Sequence, residues 1–387
     1  MKNIYVVAGE ASGDLLGGRL LKTLHEKLDG KVQFLGVGGD TMQEAGLKSL
    51  FPMTDLSVMG FTEVFPKLPL LMRRLKETEQ HIRIQRPDVL ITIDAPGFNF
   101  RLAKKLQKYP FPIIHYVAPS VWAYHKHRAK KCAEFLDYLL TLLPFEPPYF
   151  TEHNLSTTFV GHSILESGAD QADGERFRQK HKIDPTIQLI GILPGSRIME
   201  ISRLAPIFAK SYEKLSHFYP QAKAVIPCLP HLLPQIKQIF RRELGMLYDQ
   251  VIFVKDVSQK YDAMAACNVA IAASGTVTLE LALAKVPMVV AYRLNPMTAF
   301  LAKRVLTLNY VTLVNILQDK EIIPEFLQEN CTPDNIALAV ESLFKNPKKA
   351  LQQLEQTEIS LKMLRAEDTN PSEKAADTIL NILGKVY

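Results

Sequence analysis

The chain has 387 residues, of which 47% are hydrophobic and 22% charged, and its formal net charge is +6 at pH 7. These values are typical of a packed globular protein and exclude a disordered or fibrous chain, while the length predicts two domains. The 4 cysteines are scattered without a C-x-x-C pair, which excludes a disulfide framework or a zinc knuckle and predicts a reducing compartment. No apolar run reaches the roughly 20 residues of a membrane span, so we expect a cytoplasmic protein, either soluble or bound at a membrane surface.

Short β-branched runs alternate with longer stretches of helical period along the first half, which is the pattern of a parallel sheet with crossover helices. After the first strand, the leucines at Leu16, Leu20, Leu24 and Leu28 line one face of a predicted helix. The predicted strands of this half lie near Ile4–Ala8, Val32–Val37, Val89–Asp94, Ile113–Val117 and Tyr138–Leu143.

The second half repeats this pattern, and we predict two doubly wound, Rossmann-like domains of the α/β class that face each other across a cleft. A polar stretch poor in aliphatic residues, Gly161–Pro185, separates the halves. The first domain is therefore expected over 1–164 and the second over 165–349, with C-terminal helices of about 350–387 packing back on the first. The predicted strands of the second half lie near Leu189–Leu193, Ala224–Pro227, Val251–Val254, Val269–Ala273 and Pro287–Ala291.

Two acidic residues follow predicted strands of the first domain. Glu10 lies in a glycine-rich loop that lacks the ending of a P-loop and the spacing of a dinucleotide fingerprint. The motif alone favours a tight turn capped by Ser12 or Asp14, and the alternative is that Glu10 lines the cleft. Asp94 ends its strand, where a carboxylate can accept a proton from an attacking hydroxyl. A helix N-cap before Pro96 is an equal reading of Asp94.

Two loops of the second domain suit phosphate. In Gly195-Ser196-Arg197 the glycine allows close backbone approach, and the guanidinium of Arg197 can grip phosphate oxygens. In Ser274-Gly275-Thr276 the small residues open a helix whose amides can bind an anion, and Glu280, further along, can accept hydrogen bonds from ribose hydroxyls. Taken singly, these features also fit a solvated arginine, an ordinary turn and a salt-bridged glutamate. Together they predict a domain that binds a nucleotide diphosphate.

An apolar and cationic segment, Phe61–Lys76, suits an interfacial helix on anionic lipid. A core helix with a basic outer face is an equal alternative, and Met297–Leu306 is ambiguous in the same way. The residues expected to form the membrane or acyl-chain rim are Phe61, Val64, Phe65, Leu68, Leu71, Met72 and Arg73.

The remaining features give no metal or nucleic-acid site. His125-Lys126-His127 stands among positive charges, which disfavours a metal ion, and no D-x-D pair occurs. Nucleic acid is not expected as a partner, because no nucleic-acid motif is present and aromatic residues do not interleave with the basic ones. Trp122 is the one tryptophan; core packing is its default role, and contact with an acceptor is the sharper alternative.

Several of these segments resemble the lipid-A-disaccharide synthase family, inverting glycosyltransferases (glycosyltransferase family 19) of bacterial lipopolysaccharide assembly. The matching stretches occur in order and span most of the chain, so the resemblance does not depend on one motif. They are Val7–Asp14, Leu56–Gly60, Ile93–Asn99, Ile114–Ala123, Leu142–Glu146, Phe159–His162, Leu193–Arg197, Ala272–Glu280 and Tyr310–Asn315.

The resemblance implies a GT-B fold and an enzyme of Gram-negative bacteria, peripheral on the cytoplasmic face of the inner membrane. It would transfer 2,3-diacylglucosamine from UDP-2,3-diacylglucosamine to 2,3-diacylglucosamine 1-phosphate (lipid X). The products would be the β-1,6-linked disaccharide 1-phosphate and UDP, formed with inversion. The resemblance implies no cofactor and leaves a homodimer open.

The resemblance also implies roles for single residues. Asp94 matches the family's candidate general base, and Glu10 matches an acidic position at the cleft. The family commonly has a second aspartate where this chain has Gly97, so the base is Asp94 or else Glu10. For the acceptor phosphate, Arg73, His125, Lys126 and Arg128 all stay open. The positions associated with the UDP donor are Arg197, with its Gly195-Ser196 turn, Ser274, Gly275, Thr276, Glu280 and Asn315.

Three other functions compete with this one. A UDP-N-acetylglucosamine 2-epimerase would share the fold but would not need the rim at 61–76. A transferase that forms peptidoglycan lipid II would share the rim and differ in its acceptor. A non-catalytic sugar-nucleotide binder would need Arg197 and Glu280 but neither Asp94 nor Glu10.

Overall fold

The computed structural model describes residues 1–56, 61–123, 127–295 and 308–385, with the backbone alone for 61–66 and 385. The chain forms two compact units: Met1–Ser163 together with the chain from Leu364 onward, and Ile164–Met363. The return to the first unit thus begins at Leu364, later than the expected position of about 350. The intervening helix stays with the second unit, where Gln353 Oε1 accepts the Met288 N–H at 2.7 Å.

The first unit is a parallel sheet of order β3-β2-β1-β4-β5-β6-β7 with helices on both faces. One face is covered by α1 and the C-terminal helix, and the other by α3, α4 and α5. The strands are β1 Lys2–Ala8, β2 Val32–Val37, β3 Lys48–Ser49, β4 Val89–Ile93, β5 Ile113–Tyr116, β6 Tyr138–Thr141 and β7 Ser156–Phe159. The helices are α1 Ala11–Lys27, α2 Asp40–Glu44, α3 Phe61–Gln85, α4 Pro96–Leu106, α5 His127–Cys132 and α6 Pro147–Thr151.

The second unit is a parallel sheet of order β10-β9-β8-β11-β12-β13. Its strands are β8 Leu189–Leu193, β9 Lys223–Pro227, β10 Val251–Val254, β11 Val269–Ala272, β12 Met288–Tyr292 and β13 Glu325–Leu327. Its helices are α7 Gly174–Lys180, α8 Ile198–Phe218, α9 Leu233–Leu244, α10 Lys260–Ala265, α11 Val277–Leu283, α12 Leu313–Gln318, α13 Pro333–Lys345 and α14 Pro347–Met363, and α15 Pro371–Lys385 follows in the first unit.

The predicted α/β class and every predicted strand are confirmed, and the strands that the sequence did not predict lie at sheet edges. Ile4–Ala8 of β1 is fully buried on both faces and therefore reads as a continuous apolar run. The strands not predicted are β3, β7 and β13, each the last strand of its sheet. An edge strand packs and pairs less, so it is shorter and more polar.

Candidate active site

In the first unit the strand order reverses between β1 and β4, whose last residues Ala8 and Ile93 lie opposite each other. Open α/β sheets bind their ligands at such a switch point, outside the carboxyl ends of the strands. Glu10 follows β1 and Asp94 follows β4. The fold therefore places the two predicted acids at one switch point.

Asp94 sits in a strained turn and does not cap the helix that follows. Its φ is +50° and that of Ala95 is +44°, a left-handed conformation that costs of order 1–3 kcal/mol for each such residue. Buried Asn99 holds the turn, because its Nδ2 donates to the carbonyl of Asp94 at 2.7 Å and to that of Ile93 at 3.1 Å. Ala95 is the N-cap of α4 and there is no side-chain cap bond. The N-cap reading of Asp94 is therefore wrong.

Glu10 occupies the N-cap position of α1, where its side chain makes no cap bond. Gly9 brings this loop against the Asp94 turn, since a Cβ on Gly9 would lie 2.8 Å from that of Ala95. The capping role expected for Asp14 is wrong for this turn. Its buried carboxylate instead caps α2, where it accepts the backbone N–H groups of Gly39, Thr41 and Met42 at 2.7–3.1 Å.

Gly97 leaves open space on the same edge. A Cβ at this exposed position would meet no atom within 4 Å. The structure thus has room for a side chain at Gly97, and this chain supplies no carboxylate at that point.

In the second unit the strand order reverses between β8 and β11, where Leu193 lies opposite Ala272. A cavity of about 450 Å³ opens at this switch point. It contains all the residues predicted for the donor except Asn315: Gly195, Ser196, Arg197, Ser274, Gly275, Thr276 and Glu280. In the described parts of the chain there is no cluster of three or more His, Cys, Asp or Glu residues able to hold a metal ion.

The Gly195 turn aims Arg197 and a helix start at the cavity. Gly195 has φ +115°, and a Cβ there would lie 2.7 Å from Glu200 Oε2, so only glycine fits. The Ser196 N–H donates to the same oxygen at 3.3 Å. Exposed Arg197 is the N-cap residue of α8, with its Nη1 3.8 Å from Glu200 Oε1. The guanidinium and the positive end of a 21-residue helix both favour an anion here.

The three residues of the turn Ser274-Gly275-Thr276 differ in how freely they can contact a ligand in the cavity. The Ser274 Oγ donates its proton to the carbonyl of Val311 at 3.0 Å. A Cβ on Gly275 would meet nothing within 4 Å, and Thr276 is exposed at the start of α11. The Thr276 hydroxyl and the loop backbone are thus better placed for a phosphate than the Ser274 hydroxyl, whose proton is already used.

Glu280 is salt-bridged and also forms part of the cavity wall. Its Oε1 lies 2.7 Å from Lys260 Nζ and accepts the Tyr261 hydroxyl at 3.2 Å. Within the described residues both contacts are made to Oε1. Lys260 therefore balances the buried carboxylate and leaves Oε2 to accept a hydrogen bond from a ligand hydroxyl.

Asn315 does not line the cavity, which corrects its expected place at the UDP donor. It is fully buried, and its Nδ2 donates to the Ile323 carbonyl and to Glu325 Oε1, each at 2.8 Å. Its Oδ1 accepts the N–H groups of Ile322 and Ile323 at 2.9 and 3.0 Å. Since every polar group of this amide is used inside the unit, Asn315 stabilises the loop before β13.

Sequence reasoning missed the cavity wall that follows β9 and β10. Leu229 and Val257 lie there with 42% and 64% of their surfaces exposed, an apolar lining suited to the face of a base. Lys260 lies beside them. Their position just beyond the ends of two predicted strands is the signal that would have indicated them.

Only part of the predicted membrane rim lies on the described surface. Leu68 and Met72 of α3 are 39% and 52% exposed, and Arg73 is exposed beside them. Leu71 is half-buried and packs against the core, so its place on the rim is corrected. The side chains of Phe61, Val64 and Phe65 lie outside the described residues, as do His125, Lys126 and the whole of Met297–Leu306.

Arg74 of the same helix forms ion pairs within the first unit. It lies 2.7 Å from Asp55 and 2.6 Å from Glu77, with its guanidinium 4.4 Å from the centre of the Phe51 ring.

Within the described parts of the chain no helix is long and apolar enough to cross a bilayer.

Comparison with known proteins decides the family. The sequence profile described as lipid-A-disaccharide synthetase matches residues 4–379. The chain belongs to the lipid-A-disaccharide synthase family. A lipid-A-disaccharide synthase from Rhodospirillum centenum is 46% identical over 384 residues, which cover 99% of this chain and 95% of that protein. One from Paramagnetospirillum magneticum is 43% identical, with 98% and 97% covered. The chain is accordingly a glycosyltransferase of lipid A biosynthesis.

Solved structures share the fold of this synthase family member at low sequence identity. The S. aureus MnaA–UDP co-structure has a TM-score of 0.67 at 14% identity, covering 98% of this chain and 95% of that one. The MurG structure from Acinetobacter baumannii has a TM-score of 0.55 at 11% identity, covering 98% and 100%. These neighbours show the predicted GT-B fold. The family match over nearly the whole chain favours the synthase over the epimerase, lipid II and non-catalytic alternatives.

Proposed function

We propose that the chain transfers the 2,3-diacylglucosaminyl group of UDP-2,3-diacylglucosamine to the 6-hydroxyl of 2,3-diacylglucosamine 1-phosphate. The products are UDP and the β-1,6-linked disaccharide 1-phosphate. The observation that carries this proposal is the Asp94 turn: its backbone is strained, and its carboxylate, which does not cap α4, lies at a switch point in a family of glycosyltransferases. Strain of this kind is kept where the surrounding structure and the function both require it.

In the proposed reaction Asp94 acts as the general base. The acceptor oxygen attacks the anomeric carbon while its proton passes to the Asp94 carboxylate. The bond from the anomeric carbon to the UDP oxygen breaks, and UDP leaves with the electron pair. Attack on the face opposite the leaving group inverts the configuration through an oxocarbenium-like state. Glu10, at the same switch point, is the second candidate for the base.

The cavity of the second unit is proposed to hold UDP. Arg197 and the N-terminus of α8 stabilise the charge that develops on the leaving diphosphate. The Gly195-Ser196 and Ser274-Gly275-Thr276 turns let the phosphates approach the backbone, and Glu280 accepts hydrogen bonds from the ribose. Asn315 is proposed only to keep the neighbouring loop in place.

The exposed part of α3 is proposed to meet the cytoplasmic face of the inner membrane. Leu68 and Met72 supply apolar surface, and Arg73 supplies a cation for anionic headgroups. Both sugars carry acyl chains, so a site at the bilayer surface lets them react without leaving the lipid. For the acceptor phosphate, Arg73 and exposed Arg128 are the described candidates.

The test is a product assay in detergent micelles. Purified protein is mixed with UDP-2,3-diacylglucosamine and radiolabelled 2,3-diacylglucosamine 1-phosphate, and disaccharide and UDP are quantified. Equal amounts of both products are expected. UDP-N-acetylglucosamine alone, supplied in a parallel reaction, should yield no epimer. Epimer formation, or UDP release without disaccharide, would contradict the proposal.

A further inference from the structure

The loop after β5 begins beside the proposed base and carries the one tryptophan of the chain, Trp122. Ile93 and Tyr116 lie opposite each other at the ends of β4 and β5, and the Asp94 N–H donates to the Tyr116 carbonyl at 2.9 Å. Val117 follows with φ +82°. This conformation is a clear outlier for a β-branched residue. Strained residues thus stand at the carboxyl ends of both strands.

A buried carboxylate fixes the Trp122 indole. The Trp122 Nε1–H donates to Glu146 Oε1 at 3.1 Å. The other oxygen of Glu146 accepts the backbone N–H groups of Leu142 and Leu143 at 3.2 and 3.0 Å. Glu146 is only 4% exposed. The indole and the Phe145 ring pack in a T-shaped pair, with centroids 5.2 Å apart and planes at 85°.

Trp122 is held at its N–H end by Glu146 and packs against the Phe145 ring, yet the side chain remains half-buried rather than enclosed. The indole N–H of any packed tryptophan needs an acceptor, and here the acceptor is a carboxylate, which makes a stronger hydrogen bond than a neutral carbonyl. Burial raises the pKa of Glu146 to about 7, which shows that holding an ionised group here is costly. A rigid aromatic face that is partly open is suited to pack against the C–H face of a pyranose, with little loss of side-chain freedom.

We propose that Trp122 forms a wall of the acceptor-sugar subsite and that Glu146 is the positioning residue that fixes the indole at the carboxyl edge of the sheet that carries Asp94. The inference rests on the proposed function, because the acceptor is taken to be a glucosamine derivative. The acceptor site would then comprise Trp122, held by Glu146, in addition to the two acids Glu10 and Asp94.

The single tryptophan makes the test direct, because all indole emission comes from Trp122. The protein is titrated with 2,3-diacylglucosamine 1-phosphate in non-fluorescent micelles, with empty micelles as the control, while emission is recorded. A saturable change in emission is expected with the acceptor, and a much smaller one with UDP. Acceptor turnover that saturates with no change in emission would overturn the inference.

Variants separate positioning from simple stability. In Glu146→Gln the amide oxygen can still accept the two backbone N–H groups, but the amide NH₂ cannot accept the indole N–H. We expect the acceptor KM to rise roughly five- to tenfold, with the UDP-sugar KM and the Tm nearly unchanged. Trp122→Phe, which keeps an aromatic face, should bind acceptor better than Trp122→Ala. Equal changes in both KM values with a lowered Tm would assign Glu146 a merely structural role.

The same experiments distinguish failure of this inference from failure of the proposed function. If wild-type protein forms disaccharide and both Glu146→Gln and Trp122→Ala keep the wild-type acceptor KM, the inference is wrong and the function stands. If wild-type protein forms no disaccharide, the proposed function fails, and the subsite fails with it.

Discussion

The two sheets share a parallel, doubly wound topology, but the groups at their switch points serve opposite chemistry. The first unit presents the carboxylates of Glu10 and Asp94, groups that can accept a proton. The second presents Arg197, the start of α8 and small-residue turns, groups that bind an anion. The topology thus fixes where a site lies, while the few residues after each strand decide its chemistry.

Two buried acids of the first unit, Asp14 and Glu146, have no cationic partner among the described contacts, although Glu79 of that unit is paired. In the second unit Glu280 is paired with Lys260, and Asp262 receives a bidentate contact from Arg176. In the first unit Glu146 has only N–H donors around its oxygens among the described contacts. We therefore expect proton-linked behaviour, in catalysis and in stability, to be concentrated in the first unit.

The largest expected effect separates the two acids of the first unit. Asp94→Asn removes the proposed base and should lower kcat about 10²- to 10⁴-fold. Glu10→Gln should lower it less, since Asp94 stays in place. Steady-state kinetics in micelles with saturating donor measure both. The reverse order of effects would make Glu10 the base, and full activity in both variants would remove proton transfer from the first unit.

Asn315 tests whether the second unit uses its buried amide for stability or for binding. Asn315→Ala leaves the N–H groups of Ile322 and Ile323 without their acceptor and should reduce the free energy of unfolding by about 2–4 kcal/mol. The matched variant Ser274→Ala, which removes one hydroxyl near the surface, should cost less than about 1 kcal/mol. Urea unfolding measures both. An Asn315→Ala protein of wild-type stability that no longer binds UDP would restore the direct donor role.

Acid should destabilise the first unit, for a reason that the buried groups supply. Burial lowers the pKa of His115 to about 3 and that of His162 to about 4, from 6.5. The unfolded chain therefore binds protons first as the pH falls below 6.5, and stability is lost. Glu146 opposes this between pH 7 and 4.5, because its folded pKa is raised to about 7 from 4.5. The net loss from pH 7 to pH 5 is about 2 kcal/mol.

His115→Phe provides the control for this pH dependence. The ring volume is kept against Phe100, and Thr92 Oγ1 can still donate to the Ile114 carbonyl at 3.3 Å. Urea midpoints measured from pH 7 to pH 5 should be nearly constant in this variant. A slope as steep as that of the wild-type protein would mean that His115 is not a source of the acid sensitivity.

The smallest expected effect concerns the exposed face of α3. Replacing Leu68 and Met72 together by serine should weaken partition onto anionic phospholipid vesicles about tenfold. The effect is small because only the exposed apolar surface of these two side chains is lost. Leu75→Ser, on the buried face at 4% exposure, should instead destabilise the fold. Vesicle sedimentation with thermal unfolding of each variant measures both. Unchanged partition of the double variant would remove this face from the membrane.

The sequence predicted the fold well because the central strands are buried on both faces and read as apolar runs between glycine-rich turns. It also predicted which loops lie at the two switch points, since acidic, cationic or glycine-rich segments directly follow those strands. Edge strands such as β13 were missed, because Glu325–Leu327 is short and half-buried.

Contacts between residues distant in sequence could not be predicted. Asn315 matches the family's pattern, yet only the structure shows that its amide is used by the Ile322–Ile323 backbone and by Glu325. Asp14 likewise was expected in the loop after β1, but it lies in the first turn of α1 and caps α2, 25 residues and more away. Such partners depend on tertiary packing, which local pattern does not encode.

The most direct test of the division between the two units is a calorimetric titration of UDP into three proteins: wild type, Asp94→Asn and Arg197→Ala. Asp94→Asn should bind UDP within about twofold of wild type, because the base acts on the acceptor in the transition state. Arg197→Ala should bind roughly 10- to 100-fold more weakly, as expected for a lost charged hydrogen bond. Equal weakening in both variants, or wild-type affinity in Arg197→Ala, would contradict the account.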